Sequence, residues 1–322
     1  MTNILLITNT TDFTADYVVR SLKRLEAAYY RLNTDEIGTS VFLTFDFSND
    51  HYTLCDRPKG LTFDLLSFKS VYFRRPELPA VDGNGLSPEE RDFIRLEVRQ
   101  TLEGLYKILR HAYWMSNVDD IRRAENKIYQ QLLAKEIGLN IPAGVITNQK
   151  YCFEKFVQDH YNDCIVKPIL SGQIGWPEMS HVVFTSKLTS RPTPEQIESC
   201  PTYIQEHLQK LYDVRVTVVG DTVFAARIHS QDNLETQTDW RQGENILKHE
   251  AIVLSDELKA KCLALVNRLN LHFGAIDFVE TSAGEFVFLE INPNGQWAWI
   301  EEQTGLPISE TIAKQLTDEH LS

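Results

Sequence analysis

The sequence predicts an α/β (α+β) fold of two or three domains, on three observations. Asn3 to Leu32 reads strand, helix, strand, the opening of a parallel, Rossmann-like sheet. Phe273 to Ile291 reads as two apolar strands around the turn Thr281-Ser282-Ala283-Gly284, as strands covered on both faces do. A chain of 322 residues is also long enough to build more than one core.

The elements follow in order. Asn3 to Thr8 is a short apolar strand. Asp12 to Glu26 has helical spacing, with Phe13, Val18, Val19, Leu22 and Leu25 inward, and Tyr29 to Leu32 is the second strand. The link Asn9-Thr10-Thr11-Asp12 offers capping side chains and no glycine, which excludes a dinucleotide-binding fingerprint. Val41 to Phe47 and His51 to Cys55 form a hairpin around Ser48-Asn49-Asp50. Strand Val71 to Phe73 runs into Arg74-Arg75-Pro76-Glu77, Pro88 to Leu109 is a long amphipathic helix, and Ala112 to Ser116 is a strand that closes the first domain. Ile121 to Ile137 reads as one helix stopped by Gly138. Strand Val145 to Thr147, helix Phe153 to His160, strand Cys164 to Pro168, a loop with Gly172 and Gly175, and strand Val182 to Thr185 form a central unit. Strands Thr202 to His207, Tyr212 to Val219 and Thr222 to His229, a polar loop Leu234 to Glu250 and a Ser-capped helix to Leu269 lead into the hairpin, and Thr311 to Leu316 is a short terminal helix.

Composition narrows the function. A net charge of −13 argues against nucleic acid or an anionic membrane surface as partner, so any anionic ligand needs a local nest of Lys and Arg. The five cysteines are scattered without a CxxC pair, so neither zinc nor a disulfide framework is indicated, and a reducing cytoplasm is the expected setting. The N-terminus has no signal-peptide pattern and no stretch is apolar enough for a membrane span.

Three sets of residues carry candidate chemistry. In the hairpin, Glu290 and Asn292 share a face, and pairing Ser282 with Glu285 across the turn sets Asp277 opposite Glu290. Singly each is a polar residue near a strand end; together they gather hard oxygens that suit Mg²⁺ carried in with a nucleotide. A one-residue slip would move Asp277 to the far face. Lys127 and Lys167 form the second set. Lys127 alone reads as a solvated helix residue, whereas Lys167 ends an apolar strand beside a glycine-bearing loop, where an anion can be met. Near them, Tyr203 to Leu208 could hold an adenine by its backbone. The arginines are the third set: Arg74 and Arg75, Arg215, Arg227 and Arg241. Arg215 and Arg227 lie inside apolar runs and need carboxylate or phosphate partners, internal acids such as Asp213 or Glu290 being the plain alternative.

Taken in order, Lys127, Lys167, Gln205-Glu206, Asp213-Val214-Arg215, Asp277 and Glu290-Ile291-Asn292 resemble the ATP-grasp ligase pattern, from about Ile121 to the C-terminus. The resemblance implies an ATP-grasp fold with an N-terminal Rossmann-like pre-ATP-grasp domain over 1–117, a small central domain over 118–200 and a C-terminal ATP-grasp domain over 201–322. It implies that Lys127 and Lys167 meet ATP phosphates, that Gln205, Glu206, His207, Leu208 and Asp213 hold adenine and ribose, and that Asp277, Glu290 and Asn292 bind two Mg²⁺ ions. Arg215, Arg227 and Arg241, with Asn245, would serve the γ-phosphate and the acceptor carboxylate. Within that superfamily, Val71-Tyr72-Phe73-Arg74-Arg75-Pro76-Glu77 and Glu290 to Trp297 resemble the graspetide macrocyclases over the whole chain. That implies a precursor peptide, leader plus core, as substrate, with Arg74 and Arg75 contacting it, leader docking on the middle domain around Phe153 to Phe184, and a homodimer. The rival family adds glutamate or another amino acid to a protein terminus; it is similar over Asp213 to Asp221, but Leu247-Lys248-His249 stands where its glycine pair would be. A nucleotide-binding regulator without catalysis is a third reading, and the complete lysine and metal sets speak against it. The implied chemistry is transfer of the ATP γ-phosphoryl to a carboxylate, then attack by a hydroxyl or amine on the acyl phosphate. Water must be excluded, and Gly172 to Glu178 is the expected lid.

Overall fold

The N-terminal sheet forms around the apolar run Ile4–Ile7. In the computed structural model, which describes residues 3–81, 85–161, 163–170, 173–174, 181–242 and 247–318, the chain opens with β1 (Ile4–Thr8), α1 (Phe13–Arg24) and β2 (Tyr29–Asn33). A meander of β3 (Val41–Asp46), β4 (His51–Asp56) and β5 (Leu61–Asp64) follows, its third strand not foreseen from the sequence. Then come β6 (Ser70–Phe73), α2 (Pro88–Ile108) and β7 (Tyr113–Trp114). The parallel sheet runs β2-β1-β6-β7. β1 is buried from end to end because both faces are covered: Ile4 and Leu6 pack with α1, and Leu5 and Ile7 with the meander side.

The expected helix Ile121–Ile137 is two helices, α3 (Val118–Ala124) and α4 (Lys127–Ile137). Asn126 breaks it: its backbone leaves the helical region and its side chain accepts from the Tyr129 amide, a helix N-cap. Gln130 Nε2 donates to Ala124 O at 2.7 Å, so the end of α3 is tied into α4. Gly138 closes α4 at φ +80°, as expected.

The central sheet is β12-β9-β13-β8, built from β8 (Gly144–Thr147), β9 (Cys164–Lys167), β12 (Ser186–Lys187) and β13 (Thr202–Glu206), with α5 (Lys150–Asp159) and α6 (Pro194–Ser199) against it. Between β9 and β12, the short pair β10 (Gln173–Ile174) and β11 (His181–Val182) is antiparallel. Of the expected lid Gly172 to Glu178, only the pairing at 173–174 falls within the described residues.

The C-terminal sheet runs β16-β15-β14-β17-β18, from β14 (Lys210–Val219), β15 (Thr222–Ile228), β16 (His249–Ile252), β17 (Phe273–Thr281) and β18 (Phe286–Asn292). α7 (Asp256–Arg268) joins β16 to β17, and α8 (Ala298–Thr304) and α9 (Ile308–Asp318) end the chain. The far end of the expected loop Leu234–Glu250 is therefore edge strand. The sheets also cut across the expected limits at 118–200 and 201–322. β13 is an inner strand of the central sheet, and α4 packs with α7 beneath the C-terminal one.

On its helix face the C-terminal sheet buries Val214, Val216, Ile276, Phe278 and Ile291 against α4 and α7. Its other face turns Asp213, Arg215, Asp277 and Glu290 into a cleft: Arg215 pairs with Asp277, and Asp277 with Glu290. Arg74 fastens the N-terminal domain to the corner after β18. It is fully buried and donates Nη1 to the carbonyls of Asn294 at 3.0 Å and Gly295 at 2.8 Å, with Asp12 at 3.5 Å. This corrects its expected role in substrate contact: the guanidinium is sealed inside and holds two domains together. Gly295 is required there, because an added Cβ would stand 2.5 Å from Ala275 Cβ. Arg74→Ala leaves Asp12 without its cation and two carbonyls without a donor, and should cost about 3–5 kcal/mol in urea unfolding.

Candidate functional site

The hairpin reaches the expected pairing by an unexpected route. Near the turn Thr281 N donates to Glu285 O at 3.0 Å, and the ladder runs Glu280 to Phe286, Val279 to Val287 and Phe278 to Phe288. Ser282 therefore does not face Glu285. Continued, this register would put Glu290 opposite Ile276, on the helix face. Instead a bulge leaves Leu289 unpaired, and Asp277 then faces Glu290 while Ala275 faces Asn292. One extra residue re-aims Glu290 and Asn292 into the cleft. α4 fixes this edge in place: Gln130 donates to Ile291 O at 2.8 Å and accepts from Ile291 N at 3.1 Å, and Gln131 donates to Leu289 O at 2.8 Å.

Because Lys127 starts the helix that clamps β18, its ammonium reaches Glu290 at 3.0 Å and Pro168 O at 2.9 Å. Arg215 lies beside Asp277 on the neighbouring strand and donates Nε to Oδ1 at 2.7 Å and Nη1 to Gln296 O at 2.9 Å. Its guanidinium also lies against Trp240 and Trp299, at 5.7 Å and 5.3 Å from the ring centres. Arg241 is forked onto Asp239 and stands 4.0 Å from Glu290. Lys210 pairs with buried Asp213 at 2.6 Å. Around the cleft, four acids therefore meet five cations, the local positive nest that a chain of net charge −13 needs to hold an anion.

The charges are tuned by position. Burial pushes the Glu290 carboxyl up, but Lys127, Lys167 and Arg241 together pull it down to about 2. Burial raises the Asp277 carboxyl, with Arg215 opposing. Burial lowers the Lys167 ammonium, with Glu290 opposing. A carboxylate depressed from 4.5 to about 2 adds stability that is present above pH 4.5 and lost as pH falls through 2. Glu290→Gln should therefore flatten the acid limb of the stability profile by ~3 kcal/mol between those limits, measured by urea titration across pH.

Two cavities meet at this nest. The first is lined by Ile165, Leu208, Val279 and Leu289, by Gln205 and His207, and by Lys210 and Asp213. The second is lined by Arg75 of the N-terminal domain, Glu125 and Gln130, by Leu170, Val183 and Phe184, and by Asn292 and Asn294. Lys167, Thr185, Arg241 and Glu290 form the wall they share.

Of the residues singled out in the sequence, the structure gathers Arg75, Lys127, Lys167, Gln205, His207, Leu208, Asp213, Arg215, Arg241, Asp277, Glu290 and Asn292 around these cavities. Glu206 points elsewhere: its carboxylate accepts from the Ala143 amide at 2.7 Å, and the acid beside Gln205 and Leu208 in the first cavity is Asp213. Arg227 is a second correction. It pairs across from Val214, on the helix face, where Glu280 accepts from its Nε at 2.6 Å and its Nη2 at 2.7 Å. That ion pair meets the need of a semi-buried arginine without any ligand. Asn245 lies outside the described residues. Sequence reasoning missed Glu125, Thr185, Asp239, Trp240 and Trp299. Of these only Asp239-Trp240-Arg241 carried a signal, an acid two residues before a flagged arginine.

Asp277, Glu290 and Asn292 offer only hard oxygen donors, two of them anionic and facing each other across one ladder, a set that fits a hard divalent cation. Among the described residues no cluster of three His, Cys, Asp or Glu stands as an alternative metal site. No helix among them is long and apolar enough to cross a membrane.

Residues 3–122 match the family model of the MvdD pre-ATP grasp domain, and residues 124–316 that of the RimK-like ATP-grasp domain. Among solved structures the chain is similar to the Chryseobacterium gregarium RiPP-associated ATP-grasp ligase in complex with ADP and a leader and core peptide. They share 28% identity over 99% of this chain and 97% of that one, with a TM-score of 0.87. It is similar to macrocyclase MdnB from Microcystis aeruginosa, at 31% identity over 98% and 99% of the two chains and a TM-score of 0.80. Macrocyclase MdnC of the same organism, bound with precursor peptide MdnA, shares the fold at 24% identity, 99% and 100% coverage and a TM-score of 0.84. No curated protein matches the sequence.

Proposed function

The chain belongs to the RimK-like ATP-grasp ligases, in the branch of the RiPP-associated macrocyclases, and on that premise we propose that it closes rings in a ribosomal precursor peptide. An Asp or Glu side chain of the core would be joined to Ser or Thr as an ester, or to Lys as an amide, with ATP converted to ADP and phosphate. The reading rests above all on two cavities divided by one wall of opposite charges: a nucleotide fits one side, a peptide acid the other, and the transferred phosphoryl group the wall.

The first cavity takes the adenine between Ile165, Leu208 and Leu289, beside Gln205 near the end of β13 and His207 just past it, and the ribose hydroxyls on Asp213. Lys127, Lys167 and Arg241 neutralise the phosphate oxygens, and Arg215 orients Asp277. Asp277, Glu290 and Asn292 would hold two Mg²⁺ ions. Bound there, the metal would screen charge on the phosphate oxygens. Arg75 projects from a backbone at φ +42° into the second cavity, where it fits the donor carboxylate of the peptide. The carboxylate attacks the γ-phosphorus and ADP leaves; the acyl phosphate so formed is then opened by the peptide's own nucleophile. The assembly is expected to be a homodimer, and the five thiols, all unpaired, fit a reducing cytoplasm.

The test is incubation with ATP, Mg²⁺ and the peptide encoded by a short Thr-, Ser-, Glu- and Asp-rich reading frame beside the gene. Loss of one water per ring with matching ADP release supports the reading. ADP release with free amino acids and carboxylates, and none with the peptide, would replace it with a stand-alone amino-acid ligase.

A further inference from the structure

The walls of the two cavities hold five acids, and four are already neutralised. Asp213 has Lys210 at 2.6 Å, Asp239 has Arg241 at 2.7 Å, Asp277 has Arg215 at 2.7 Å and Glu290 has Lys127 at 3.0 Å. Glu125 is the fifth, and among the described residues no cation lies within ion-pairing distance of it. It lines only the second cavity, with Arg75 and Asn294 and away from the adenine side. Its place comes from the break between α3 and α4: as the C-terminal cap of α3 it stands at the negative end of that helix, one residue before the Asn126 cap and two before Lys127. The nearby Arg122, which could have claimed it, is forked onto Glu103.

Building on the macrocyclase reading, we infer that Glu125 is the general base of ring closure. The second half-reaction needs such a group. A hydroxyl is a poor nucleophile while it keeps its proton, and an ammonium is none at all. The other four acids are poor candidates because each already has a cation on its carboxylate oxygens. Burial also raises the Glu125 carboxyl from its ordinary value, with Arg122 opposing. The step balances. A hydroxyl oxygen, or the nitrogen of a lysine that has already given its ammonium proton to water, bonds to the acyl carbon as its proton passes to a Glu125 oxygen. The bond from that carbon to the phosphate oxygen breaks, and phosphate leaves with the electron pair. Glu125 then releases the proton to water.

The experiment separates the two half-reactions with hydroxylamine, which is unprotonated at neutral pH and traps an acyl phosphate as a hydroxamate without a protein base. The wild type, Glu125→Gln and Glu125→Asp are each given ATP, Mg²⁺ and the precursor peptide, with and without hydroxylamine. In Glu125→Gln ring closure should fall by roughly 10²–10⁴-fold, while hydroxamate formation falls by less than about threefold. Glu125→Asp should recover part of the closure rate. Parallel loss of both products in Glu125→Gln, or ring closure at the wild-type rate, would overturn the assignment. Rings made by the wild type together with either of those outcomes would leave the macrocyclase reading standing. A wild type that forms neither ring nor hydroxamate would remove both.

Discussion

Glu290→Ala should lower ADP formation by roughly 10³-fold or more while the fold survives, read as rate by a coupled ADP assay and as structure by circular dichroism. Glu290 touches several parts of the nest at once. Glu290 faces Asp277, takes the Lys127 ammonium at 3.0 Å, stands 4.0 Å from Arg241 and lies in the wall common to both cavities. Removing it takes an oxygen donor from the set that fits a divalent cation. It also leaves Lys127 and Lys167 repelling each other without their shared counter-charge. Glu290→Gln, which keeps the shape and loses the charge, should be nearly as slow. Undiminished ADP production in either variant would refute the metal assignment.

Arg215→Ala should lose about 3–5 kcal/mol of stability at neutral pH, because it strips the counter-charge from a buried carboxylate. Arg215 gives Asp277 two donors, at 2.7 and 3.4 Å, and holds the backbone at Gln296 O, so the corner after β18 loosens as well. The sign of the pH dependence is opposite to that of Glu290. Burial already sets the folded Asp277 carboxyl above its ordinary value, so the folded state binds its proton more readily than the unfolded chain. Stability from this group is gained as pH falls, and without Arg215 that gain grows. The deficit of Arg215→Ala relative to the wild type should therefore be smaller at pH 5 than at pH 8. Arg215→Ala/Asp277→Asn should be more stable than Arg215→Ala alone, and a deficit independent of pH would show that Asp277 is not the uncompensated group.

Much of this site was legible in the chain because charged residues interrupting apolar strands have few places to go. Asp277, Glu290 and Lys167 are of that kind, each interrupting an apolar strand and each lining the first cavity. What alternation could not reveal was the bulge at Leu289. The sequence reading assumed an unbroken ladder from the turn, and the error in the turn and the missing bulge cancelled. Arg227 shows the converse failure. It looked like Arg215, an arginine within an apolar run, but it is one residue out of phase across the ladder, and Glu280 satisfies it from the same face. Arg74 looked like a surface ligand because its partners, the carbonyls of Asn294 and Gly295, are backbone atoms some 220 residues away. The α3–α4 break hid for a local reason. Glu125 and Asn126 fit the helical period, and only the capping preference of Asn argued for a stop. Glu125 acquires its position from that break and from no pattern of its own.

The most direct measurement is a crystal structure of the protein with ADP and Mg²⁺. The account predicts adenine between Ile165 and Leu289 with Asp213 at the ribose, the terminal phosphate against Lys167 and Arg241, and metal density bounded by Asp277, Glu290 and Asn292. Nucleotide bound in another cavity, or those three side chains directed away from the metal, would contradict it.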